Sequence, residues 1–86
     1  MKKIISTESY YLFANLLKQA RVQANLTQVE LARKIGVPQS FVSKYENNER
    51  KLDVLEFIKI SQLIGLRPTD VIRKFLNEII LQGKKF

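Results

Sequence analysis

Gln39, Ser40, Ser43, Lys44 and Asn47 are the residues of this chain best placed to do chemistry. At about 100° per residue, they fall on one side of a helix expected over residues 38–47. Phe41, Val42 and Tyr45 fall in an apolar arc on the other side. The polar side offers amides, hydroxyls and one amine, and it has no carboxylate. Amides can bond adenine at two edges, lysine reaches guanine acceptors or phosphate, and hydroxyls suit either. A helix presenting that set fits the major groove of double-stranded DNA.

Such a helix has to be held, and residues 26–50 read as two short helices joined by a tight turn. Thr27 and Glu30 form a Thr-x-x-Glu capping box. Val29, Leu31, Ala32 and Ile35 supply about two turns of apolar positions. Gly36 follows where the chain turns left-handed, and Pro38 stands in the first turn of the next helix. Upstream, Ser6 or Thr7 caps a helix that runs to about Asn25, with Glu8 in its first turn. Phe13, Leu16, Leu17, Ala20 and Ala24 share its apolar face. Downstream, Asp53 and Glu56 make a second capping box, and Gly65 ends that helix. There Val54, Phe57, Ile58, Ile60, Ser61 and Ile64 face one way, while Leu55 and Leu63 lie opposite and need cover. A last helix covers about residues 68–82. Its Val71, Ile72, Phe75, Leu76, Ile79 and Ile80 span half the wheel, more than the roughly 100° stripe a surface helix needs. Two readings account for the surplus: a second apolar contact through Ile72, Leu76 and Ile80, or a wider internal core that also covers Leu55 and Leu63.

Eighty-six residues without repeat or linker make one domain, 1–86, with a modest core. The net charge of +7 and an isoelectric point near 9.9 match a nucleic-acid footprint, though a basic balance also serves solubility. The chain has no cysteine and no histidine. That leaves no thiolate metal site, no disulfide and no imidazole base, and no cofactor is expected. Glu30, Glu46 and Glu56 are accounted for by caps and pairing, so an enzyme is not expected. No apolar run approaches the ~18 residues of a membrane span, and no signal peptide is evident; the expected location is the cytoplasm. Lys2 and Lys3 are expected to be a solvated terminus rather than a phosphate-binding arm.

Thr27-Gln28, Glu30-Leu31-Ala32, Gly36-Val37, Gln39-Ser40, Val42-Ser43 and Glu46-Asn47 occur in an ordered set. With Arg21 upstream and Leu63-Ile64-Gly65-Leu66 downstream, the segment resembles the phage-repressor-like helix-turn-helix family (Cro/repressor or XRE type). The resemblance covers about residues 13–66. It implies an all-α, five-helix, lambda-repressor-like domain whose motif (about 27–47) puts its second helix in the major groove. Base contacts are then expected from Gln39, Ser40, Ser43 and Lys44. Phosphate contacts are expected from Gln28, Asn47, Arg50 and Lys51. The resemblance further implies that Gln28 braces Gln39 and that Arg21 pairs with Glu46. Asn48 stands where the family usually has glycine, a mild departure because asparagine tolerates the left-handed conformation. Glu49 replaces a frequent basic residue, which argues against a strong phosphate contact there. Phe41 reads either as core packing or as a thymine-methyl contact.

The expected function is sequence-specific transcriptional regulation, most simply repression, by a homodimer on a palindromic operator. The alternative is an antitoxin that binds a toxin protein and represses its own operon. A third reading, an interaction module that no longer binds DNA, conflicts with the carboxylate-free face around Lys44.

Overall fold

The structure, a computed structural model, describes residues 7–83. The lysine pair Lys2–Lys3, Ser6 as a helix cap and the end at 84–86 lie outside the described residues. Five helices and no strand occur among the described residues: α1 Thr7–Gln23, α2 Gln28–Ile35, α3 Gln39–Glu46, α4 Val54–Ile64 and α5 Pro68–Leu81.

Local chemistry sets most helix ends. Thr27 Oγ1 accepts the Glu30 N–H at 3.0 Å, and Glu30 Oε1 accepts the Thr27 N–H at 2.9 Å, closing the box that starts α2. Asp53 and Glu56 repeat the arrangement at α4. Gly36 closes α2 at φ 89°, and the Val37 N–H reaches back to the Ala32 carbonyl at 3.0 Å. The first helix stops at Gln23, two residues earlier than expected. Asn25 is left-handed at φ 59°, and the Leu26 N–H bonds the Arg21 carbonyl at 3.1 Å. Ala24 therefore sits in the turn, exposed, and is not part of the apolar face.

The core gathers Leu17, Leu31, Ala32, Val42, Tyr45, Phe57, Ile60, Ile64 and Val71. Fully burying each large apolar side chain among them contributes about 1.5–3 kcal/mol. Phe13 extends the core, its ring centroid 5.1 Å from that of Phe57 and 5.6 Å from that of Phe75. Contacts of α2 with α3 and α4, and of α1 with α3, clamp the helix-turn-helix from behind. α5 lies on α1 and α4 through Val71, Phe75 and Ile79.

Two further apolar expectations need correction. Val29 is exposed, because it stands about 200° from Leu31 on a helix that buries only a narrow face. Val54 is exposed as well, although the wheel aligns it with Phe57 and Ile58. Burial in α4 begins only at Phe57, and a wheel carries no information about where along the axis neighbours begin. Leu63 packs against the core, whereas Leu55 remains 77% exposed.

Candidate nucleic-acid interface

α3 begins at Gln39, with Pro38 as an extended N-cap residue (φ −65°, ψ 154°) rather than a member of the first turn. Gln39 and Ser40 thus open the helix, where backbone N–H groups lack helical partners and the dipole is positive. Val42, Tyr45 and Glu46 are buried. Gln39, Ser40, Lys44 and Asn47 are exposed, and Ser43 is half-buried between the two sets. The Asn47 amide donates to Ser43 Oγ at 3.3 Å, leaving the hydroxyl proton of Ser43 for another acceptor.

Behind this row stands a chain of hydrogen bonds. Arg21 Nε donates to Glu46 Oε2 at 2.7 Å and Arg21 Nη2 to Glu46 Oε1 at 3.0 Å. Arg21 Nη1 donates to the Leu26 carbonyl at 2.7 Å. Both residues of the pair are buried. The bond to Glu46 outweighs burial and raises the pKa of Arg21, so the guanidinium holds its charge more firmly than an exposed one. Gln28 Nε2 donates to Glu46 Oε1 at 2.9 Å, and Gln39 Nε2 donates to Gln28 Oε1 at 3.3 Å. The motif's two helices are therefore tied through Gln28, from the buried ion pair out to the first exposed residue of α3.

The far end of α3 is held differently. Asn48 turns left-handed at φ 63°. The Arg50 guanidinium lies 4.4 Å above the Phe41 ring and pairs with the Glu56 carboxylate. Phe41 is half-buried, packed against the core on one side and covered by Arg50 on one face. Lys51 is exposed, its Nζ 5.7 Å from the Tyr10 ring centroid. The Tyr10 hydroxyl donates to the Arg50 carbonyl at 3.2 Å and accepts the Leu52 N–H at 2.8 Å. That strut between α1 and the loop after α3 has no counterpart in the sequence reading. The spacing of Tyr10 with Phe13 and Leu17 puts its ring on the apolar face, but nothing local identifies the partners of its hydroxyl.

Gln28, Asn47, Arg50 and Lys51 thus flank α3, although Arg50 already shares its charge with Glu56. Glu49, Arg33 and Lys34 are exposed. No cluster of acidic side chains that could hold a metal occurs among the described residues, and no described helix is long and apolar enough to cross a membrane.

Comparison with known proteins places these features in a wider set. The model of a family described as helix-turn-helix matches residues 17–71. Antitoxin HipB of Escherichia coli (strain K12) is 43% identical over 56 residues, covering 65% of this chain and 64% of that protein. The HTH-type transcriptional regulator ImmR of Bacillus subtilis is 30% identical over 82 residues, covering 79% of this chain and 65% of ImmR. The chain thus spans less than two thirds of the length of either relative. A solved XRE-family-like protein from Pseudomonas syringae pv. tomato is 45% identical and superposes with a TM-score of 0.78 over 83% of this chain and 87% of its own.

Proposed function

The chain belongs to the phage-repressor-like (XRE-type) helix-turn-helix family, and on that footing we propose that it is a cytoplasmic, sequence-specific transcriptional regulator, acting as a repressor by occupying operator DNA. The observation that carries this reading is the row of exposed Gln39, Ser40 and Lys44 with half-buried Ser43, on a helix whose other side is locked into the core. These four side chains read base edges. Gln28, Asn47, Arg50 and Lys51 hold the phosphate backbone on either side and set register rather than sequence choice. Occupancy alone regulates, so the protein needs no reaction chemistry.

Binding of Gln39→Ala, Lys44→Ala and Lys51→Ala to specific and scrambled duplexes tests this division. The first two should each cost about 1–3 kcal/mol on the specific duplex and little on the scrambled one. Lys51→Ala should weaken both alike and reduce the salt slope by about one. Equal losses on both duplexes for Gln39→Ala and Lys44→Ala would contradict base reading by α3.

A homodimer completes the reading. Ile72, Leu76 and Ile80 recur every four residues on α5 and stay exposed, in line with Leu81 nearby. Covering them with a second copy presents two α3 helices to half-sites about one helical turn, or a multiple of it, apart. The similarity to antitoxin HipB favours a second reading, in which a toxin protein is a partner and the chain represses its own operon. Co-purification with the product of an adjacent reading frame, lost on Ile80→Asp, would favour that reading; a free chain beside every neighbouring product would count against it.

A further inference from the structure

Arg50 is pinned everywhere except at the end of its side chain. Its N–H and that of Glu49 both reach the Lys44 carbonyl, at 3.2 and 2.8 Å, which folds the loop onto the last turn of α3. Its own carbonyl accepts the Tyr10 hydroxyl at 3.2 Å. The guanidinium rests over the Phe41 ring, 4.4 Å from the centroid. Of its five N–H donors, one reaches an acceptor among the described residues: that on Nη2, which donates to Glu56 Oε2. Glu56 takes the Asp53 N–H on its other oxygen at 2.9 Å, so its part in starting α4 does not depend on Arg50. The ion pair is partly open to solvent, its side chains 38% and 27% exposed. A pair so exposed is weak, and a phosphate is an equally apt partner for a guanidinium.

We infer, resting on the regulator reading above, that Glu56 and a DNA phosphate compete for Arg50, and that Glu56 thereby limits the grip of the protein on the DNA backbone beyond the end of α3. To take a phosphate, Arg50 has to release Glu56. Only the guanidinium moves, since Lys44 and Tyr10 hold the backbone of Arg50 in place. The new contact frees a counterion from the DNA, but it leaves a bare carboxylate that draws a cation back. The net release of ions is then close to nil. Lys51 has no ion-pair partner among the described residues and faces no such exchange. The neighbouring charges act in the same sense. Across residues 49–56 the cations Arg50 and Lys51 stand against the carboxylates Glu49, Asp53 and Glu56, in a chain whose net charge is +7. The segment is thus net negative within a basic protein, and Glu56 is the carboxylate that engages a cation directly.

The test is binding of the intact chain, Glu56→Gln, Arg50→Ala and the double variant to two duplexes, one from upstream of the gene and one scrambled, across a salt series. Glutamine still accepts the Asp53 N–H, so the box that starts α4 is kept. Glu56→Gln should bind both duplexes more tightly at low salt, with a salt slope steeper by about one. Its advantage should therefore shrink about fourfold between 50 and 200 mM salt. The double variant should bind like Arg50→Ala alone. A purely structural role for Glu56 would leave affinity unchanged or lower it, and either result would overturn the inference. So would a gain that survives in the Arg50→Ala background, since the charge of the carboxylate alone would then be responsible. If Glu56→Gln does not fold, Arg50→Ala decides: its salt slope should stay close to that of the unaltered chain, and a loss of a full unit would overturn the inference. The preference of the unaltered chain for the upstream duplex is read from the same series. Preference without the gain in Glu56→Gln would remove the inference and leave the regulator reading standing. Absence of binding to either duplex at low salt would remove both.

Discussion

Glu46 and Tyr45 are adjacent in sequence and both buried, yet removing their polar groups should have opposite consequences. Glu46→Ala strands the Arg21 guanidinium in a buried site with only the Leu26 carbonyl left to it. Breaking one side of such a pair costs about 3–5 kcal/mol, so chemical denaturation should show a loss of that size. The Tyr45 hydroxyl is fully buried and has no hydrogen-bond partner among the described residues. Burial pushes its pKa up, because an anion there would be desolvated. Tyr45→Phe should therefore leave the melting temperature unchanged or higher. Tyr10→Phe should lower it by the equivalent of about 1–3 kcal/mol, since it leaves the Leu52 N–H and the Arg50 carbonyl without their partner. Equal melting curves for the two phenylalanine variants would contradict this assignment. The Arg21–Glu46 pair is legible in the chain through the family pattern. The Tyr10 strut is not, because its partners stand about forty positions away and hydroxyl bonds leave no periodic trace.

The helix ends were the most readable features, because a cap is decided within three or four residues. Thr27 with Glu30, Gly36, Asp53 with Glu56, and Gly65 all do what their spacing implies. Pro38 is the N-cap of α3 and Val54 is exposed, against expectation, because the exact start of a helix, and the point where its burial begins, depend on neighbours that a wheel does not contain. The boxes have a consequence in acid. Backbone and side-chain bonds from Thr27 hold the Glu30 carboxyl below the ordinary carboxylate range. Its folded-state pKa lies below its unfolded one. The stabilisation is therefore complete above the unfolded value and is lost as pH falls through the folded value. The acid limb of a stability–pH curve should accordingly be shallower in Glu30→Gln, while the profile above the carboxylate range keeps its shape. An unchanged acid limb would mean that ionisation of Glu30 adds nothing to the box that starts α2.

As a whole the molecule has two unlike faces: the polar row of α3, and the apolar stripe of Ile72, Leu76, Ile80 and Leu81 on α5. The general outline of both was legible from periodicity, including the surplus on α5. What covers the stripe was not, since the spacing that builds an internal core also builds an interface. If a second copy covers it, the melting temperature should rise with protein concentration. Ile80→Asp, at a position 74% exposed, should abolish that rise without unfolding the chain. A monomer by light scattering throughout the micromolar range would remove the dimer and, with it, the expectation of a palindrome.

Reading of DNA sequence by α3 is most directly examined by fluorescence anisotropy of the intact chain on duplex DNA from upstream of its own gene, against a scrambled duplex of equal length, across a salt series. Base reading by α3 requires a preference for the native duplex of roughly 10³-fold or more, retained as salt weakens both affinities. Equal affinities that fall together steeply with salt would show charge attraction alone and would contradict it.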